Sequence, residues 1–149
     1  MKKIILTLFA IAALAGSSLA QTRDAFGVRL GYGSFFNGEL SYQKCVGGIN
    51  RVETDLGIDL DGGNVGFTLS AIYQWHWNLS DGFGFYIGPG AQADVFNSHF
   101  GIGIGGQLGF DYQFNAPFQL SLDVRPMWNF IGHVTGFNYG AALGIRYAF

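Results

Sequence analysis

Ten charged side chains fall at alternate positions along otherwise apolar or glycine-rich stretches, a spacing that turns them to one side of an extended chain. They are Arg29; Glu39; Glu53, Asp55 and Asp59; Asp94; Asp111; Asp123 and Arg125; and Arg146. Guanidinium and carboxylate groups gathered inside a protein have two uses: a plug of ion pairs, or a charged path for ions. A buried guanidinium is tolerated only when paired and hydrogen-bonded, so the first use predicts Arg–carboxylate pairs bridged by Gln side chains. The carboxylates outnumber the arginines, so any residual path would prefer cations. Three histidines raise the question of catalysis. His76 shares the parity of the charges, while His99, next to Ser98, and His133 fall in turn-like segments. A nucleophilic site needs a base and an orienting acid within hydrogen-bond reach. The spacing puts no acid or nucleophile beside these histidines, so no catalytic residue is assigned, with Ser98, His99 and His133 as the only candidates worth a mutation. The glycine strings Gly88-Pro89-Gly90 and Gly101 to Gly106 are not followed by a helical pattern, which argues against a phosphate loop. No metal and no cofactor is expected.

The elements that must position these groups are strands. Apolar residues recur at every second position in eight segments: Phe26 to Tyr32; Leu40 and Tyr42; Val52 to Leu60; Val65 to Trp77; Phe83 to Ala93; Ile102 to Phe114; Phe118 to Trp128; and Phe137 to Phe149. Turn signals separate them at Gly47-Gly48, Asp61 to Asn64, Ser80 to Gly82, Asn97-Ser98, Asn115 to Pro117 and Gly132. Pro89 and Pro126 lie inside segments, where each removes a ladder donor, so a bulge or a local break is expected at both. The second segment, around Leu40 and Tyr42, is the most weakly patterned.

The first twenty residues differ from the rest. Lys2 and Lys3 precede an apolar run from Ile4 to Ala15, and Gly16-Ser17-Ser18-Leu19-Ala20 supplies a small-x-small cleavage site, so residues 1–20 read as a secretory signal peptide. The run is shorter than the roughly 20 apolar residues of a spanning helix. Residues 21–149 are then one domain. Without Lys2 and Lys3, six basic side chains face ten acidic ones, and no basic patch exists for nucleic acid. The single cysteine, Cys45, permits no intramolecular disulfide.

Alternation does not say which face points inward; volume does. An eight-stranded barrel has an interior just wide enough for modest side chains. Three Trp, fifteen Phe and seven Tyr do not fit there, whereas the small and polar parity does. The expected fold is therefore an all-β, eight-stranded antiparallel up-and-down barrel with its apolar face in lipid and its polar face inside. Strands running alternately up and down bring Trp75, Trp77, Phe83, Phe85, Tyr112, Phe114, Phe118, Tyr147 and Phe149 to one rim. Trp128, Phe130, Phe137 and Tyr139 fall at the other, with leucines and isoleucines between, which is the pattern of an aromatic girdle.

With this pattern the chain resembles the small eight-stranded outer-membrane barrels of Gram-negative bacteria, the OmpA/OmpX-like and opacity-protein-like class. The most specific element is the stretch from Tyr139 to Phe149, with alternating hydrophobics and a terminal Phe. It looks like that class's β-signal, which implies recognition of Tyr147 and Phe149 by the barrel-assembly machinery. The resemblance further implies an outer-membrane location, lipid as the surrounding partner, both termini in the periplasm and a monomer. Long surface loops are not matched, since every connection is short. The function expected first is a structural or surface-interaction role. The alternative is a narrow pore or small-solute transporter lined by Arg29, Glu53, Asp55, Asp111, Asp123, Arg125 and Arg146. Third is a lipid-modifying enzyme, an activity found in some barrels of this size.

Overall fold

The computed structural model describes residues 23–149, so the expected signal peptide lies outside the described residues. Eight strands follow one another: β1 (Ala25–Tyr32), β2 (Phe36–Gly47), β3 (Asn50–Asp61), β4 (Asn64–Ser80), β5 (Phe83–Phe96), β6 (His99–Gln113), β7 (Phe118–Ile131) and β8 (Gly136–Ala148). Each pairs antiparallel with its sequence neighbours, and β1 pairs with β8 to close the barrel. The weakly patterned second segment is a full strand of 12 residues. It is held on both sides, Arg29 lying opposite Glu39 on β1 and Ser41 opposite Asp55 on β3.

The hairpins are tight because their residues accept left-handed backbone. Gly62 and Gly63 join β3 to β4 at φ 54° and 90°. Asn97 and Ser98 join β5 to β6 at φ 48° and 64°, a geometry that Asn tolerates and that Ser adopts at a cost.

The wall is inverted relative to a water-soluble barrel. Leu122 is 59% exposed and Tyr139 70%, whereas Arg146 is 1% exposed and Glu53 completely buried. Among the described residues, the large apolar or aromatic side chains that do point inward and are buried are Ile72, Tyr86, Phe96 and Met127. The inward parity is otherwise polar or small, as the volume argument requires.

Each proline makes a local break and neither makes a bulge. The β4–β5 ladder passes from Ile72–Gly90 to Trp75–Ile87, leaving Pro89 unpaired on that side with the register unchanged. The β6–β7 ladder passes in the same way from Gly105–Met127 to Leu108–Val124 across Pro126. Pro89 and Pro126 stay paired on their other sides, with Gly106 and Tyr139, where no proline N–H is needed. The register shifts lie elsewhere, at Cys45/Gly47, Asn78/Ser80 and Ile102/Gly103, near strand ends.

Candidate functional site

Glu53, on β3, is the centre of the lumen. Arg146 Nη2 (β8) donates to its Oε2 at 2.9 Å and Arg125 Nη2 (β7) to its Oε1 at 3.0 Å, while Arg29 Nε (β1) lies 3.9 Å away. The amides of Gln43 and Gln107 also donate to Glu53. Arg125 Nη2 reaches Asp55 Oδ2 at 2.6 Å as well. Arg29 bonds Glu39 and Asp123, and the Tyr86 hydroxyl donates to Asp123 at 3.0 Å. Arg146 is completed by the hydroxyls of Ser41 and Ser121 at 2.9 and 2.7 Å.

A second cluster lies nearer the chain termini. Asp111, on β6, accepts from Arg51 Nη1 and Gln119 Nε2, each at 3.0 Å, and lies 2.9 Å from His76 Nε2. Arg51 also donates to Gln74 at 2.6 Å and sits over the Tyr86 ring, 4.8 Å from its centroid. Gln74 donates to Gln107, which donates to Glu53, so the two clusters form one chain of hydrogen bonds. Glycines make the room. A Cβ at Gly144 would meet Ser121 Oγ at 2.5 Å and Arg29 Cγ at 3.0 Å, and one at Gly84 would run into the His76–Asp111 contact. The glycine-rich parity and the guanidiniums are thus one arrangement: backbone without side chain on some strands accommodates long side chains from others.

Eight of the ten charges read from the sequence meet in this network: Arg29, Glu39, Glu53, Asp55, Asp111, Asp123, Arg125 and Arg146. Asp59 and Asp94 stand apart. They line a cavity of about 110 Å³ at the end away from the termini, with Thr68 and Gln92 beside them and Arg29, Glu39 and Arg125 as part of its lining. Neither pairs with an arginine among the described residues; Thr68 donates to Asp59. The same end carries a ring stack of Phe35, Phe96 and His133, with centroid separations of 5.0 Å and 4.7 Å. Arg51 was missed by the sequence reading, although it continues the 51, 53, 55 parity of β3 by one residue. The acid beside His76 was also missed, because Asp111 comes from β6, two strands away, and the β4–β5 and β5–β6 registers together bring it there.

On the outside, aromatic rings at the terminal end touch from strand to strand. Trp77 meets Phe85 at 6.1 Å, Phe85 meets Phe110 at 5.3 Å, Phe83 meets Phe110 at 5.6 Å and Phe118 meets Tyr147 at 5.9 Å. Tyr112 packs on Phe114, and Tyr147 on Phe149. Trp75 lies on the same outer face against Tyr73. At the other end Trp128 is opposite Phe137, with Phe130 and Tyr139 also exposed. The seam is fastened by Asp24, just before β1: its carbonyl accepts from Phe149 N–H and its carboxylate from Cys45 N–H and the Tyr42 hydroxyl. The Cys45 amide is the main reason that the Asp24 carboxyl is held below the ordinary carboxylate range.

No protein-family model matches the chain, and no curated protein is detectably similar in sequence. Solved structures are similar in fold. A de novo designed transmembrane β-barrel aligns with a TM-score of 0.66 at 16% identity, covering 89% of this chain and 100% of the design. Neisserial surface protein A aligns at 0.65 and 14% identity, over 85% of this chain and 95% of its own. The N-terminal β-barrel domain of Pseudomonas aeruginosa OprF aligns at 0.60 and 17% identity, over 87% and 98%. Together with the inverted wall, these likenesses give the chain the fold of the small eight-stranded transmembrane β-barrels of the outer membrane.

Proposed function

We propose that this chain, exported through the signal peptide of residues 1–20, is an integral outer-membrane protein whose barrel has a structural or surface-interaction role and is neither a conduit nor an enzyme. Its apolar wall faces outer-membrane lipid, the aromatic residues at its two ends sit at the lipid–water boundaries, both termini lie in the periplasm and the protein is a monomer. Tyr147 and Phe149 form the signal read by the barrel-assembly machinery. The observation that carries the reading is the continuous hydrogen-bonded network from Asp111 to Glu39, in which every charged residue is at most 8% exposed. A lumen of eight strands has little free bore, and this one is occupied by paired guanidiniums and carboxylates. Removing one member leaves the others as uncompensated buried charge, which keeps the plug in place.

Planar-bilayer recording on the refolded barrel tests this. The wild type should give no steady channel, and Arg125→Ala should introduce a leak by removing the group that spans Glu53 and Asp55. A steady conductance in the wild type that is abolished by Arg125→Ala would overturn the plug and leave the narrow-pore reading.

A further inference from the structure

The buried lumen holds unequal numbers of fixed charges. Among the described residues, Arg29, Arg51, Arg125 and Arg146 are buried against Glu39, Glu53, Asp55, Asp111 and Asp123. The inequality is local. Arg51 and Asp111 balance each other at the terminal end, so the excess lies in the larger cluster, where three guanidiniums meet four carboxylates. An uncompensated charge in a water-excluded interior is costly enough that a titratable group neutralises instead. Glu53 and Asp55 are like charges held by one guanidinium. They stand two residues apart on the inner face of β3 and accept from the same Arg125 Nη2, at 3.0 and 2.6 Å. Two carboxylates at one site favour protonation of one of them.

The surroundings of the four carboxylates decide which one holds the proton. Glu53 accepts from Arg146, Arg125, Gln43 and Gln107. Glu39 accepts from Arg29 and Asn37, and Asp123 from Arg29 and Tyr86. Asp55 is the poorest in donors: Arg125 Nη2 bonds Oδ2, Arg29 Nη1 stays 3.6 Å away, and buried Oδ1 has no hydrogen-bond partner. An oxygen without a donor is where an added proton removes most of the penalty. Ser41, opposite Asp55 on β2, is an uncharged polar neighbour across the ladder, and its Oγ already accepts from Arg146 Nε. The charged groups facing Asp55 are Glu53 on β3, Glu39 on β2, Arg29 on β1 and Arg125 on β7, with Asp123 and Arg146 joined to it through Arg29 and Glu53.

We propose that Asp55 is a proton-binding site of the lumen, held as the neutral acid at neutral pH, so that three guanidiniums face three carboxylates. Ionising it at alkaline pH adds one negative charge to the network and weakens the barrel. The proposal rests on the sealed lumen described above.

Infrared spectra of the refolded barrel in lipid at neutral pH should contain the carbonyl stretch of a buried protonated carboxyl, lost on titration to alkaline pH. Asp55→Asn, which mimics the neutral acid, should lack the band and keep the wild-type melting temperature, whereas Asp123→Asn should melt lower. If Asp55→Asn fails to assemble, the mimicry fails and the proposal is overturned. A band that survives in Asp55→Asn overturns it too. Conductance of the same preparation separates the two readings: a silent barrel without the band overturns the Asp55 assignment alone, and a conducting one overturns both.

Discussion

At the scale of single residues, stability is concentrated in a few inward side chains. Arg146 is 1% exposed and bonds Glu53, Ser41 and Ser121. Arg146→Ala leaves a buried carboxylate and two hydroxyls short of a partner, so it should cost about 3–5 kcal/mol. Asp61→Asn, at an exposed hairpin, should stay within about 0.5 kcal/mol of the wild type. Urea unfolding in detergent micelles measures both, and equal midpoints for the two variants would contradict the account. Most of the network was legible in the sequence because charge on the small parity has nowhere to go in an inverted barrel except the lumen. Three things were not legible. Arg51 precedes Val52, the first residue of the apolar alternation, although β3 itself begins at Asn50. Asp59 and Asp94 share the parity of the network but sit too near the far end to reach an arginine, and height along the barrel axis depends on stagger, which alternation does not encode. The His76–Asp111 contact joins β4 to β6 across β5, a relation fixed by the registers of two successive ladders.

At the scale of elements, a strand's register is held by its faces. A slip of one residue would turn Arg29 or Arg146 into lipid, at roughly 2–4 kcal/mol for each near the midplane. This explains why the ladders keep register across Pro89 and Pro126: Gln74 at the first break, and Gln107 and Asp123 at the second, are pinned in the lumen by hydrogen bonds to other strands. Proline's missing donor was legible; the absence of a bulge was not, because it depends on those distant bonds. β8 closes the seam, and its end is tied by Phe149 N–H to the Asp24 carbonyl at 2.8 Å. Deleting Phe149 should therefore leave export intact while reducing the folded, heat-modifiable form in the outer membrane. Cell fractionation followed by unheated gel electrophoresis tests this, and normal insertion of the deletion variant would refute the assembly role.

At the scale of the whole molecule, one inversion governs everything: the apolar parity outside, the charged parity inside, and closure to leave no unpaired edge in hydrocarbon. The same sequence folded as a soluble barrel would have to place Trp75, Trp77 and Trp128 where Arg29, Glu53 and Arg146 now meet. The volume of an eight-stranded interior forbids it, which is why the architecture was the most legible feature and the role the least, since an ion-paired lumen and short hairpins carry few ligand-specific groups. Refolding of the mature chain with and without detergent tests the inversion most directly. The account predicts aggregation in water, and in micelles a folded form whose gel mobility shifts on heating; a soluble, monomeric chain in water without that shift would contradict it.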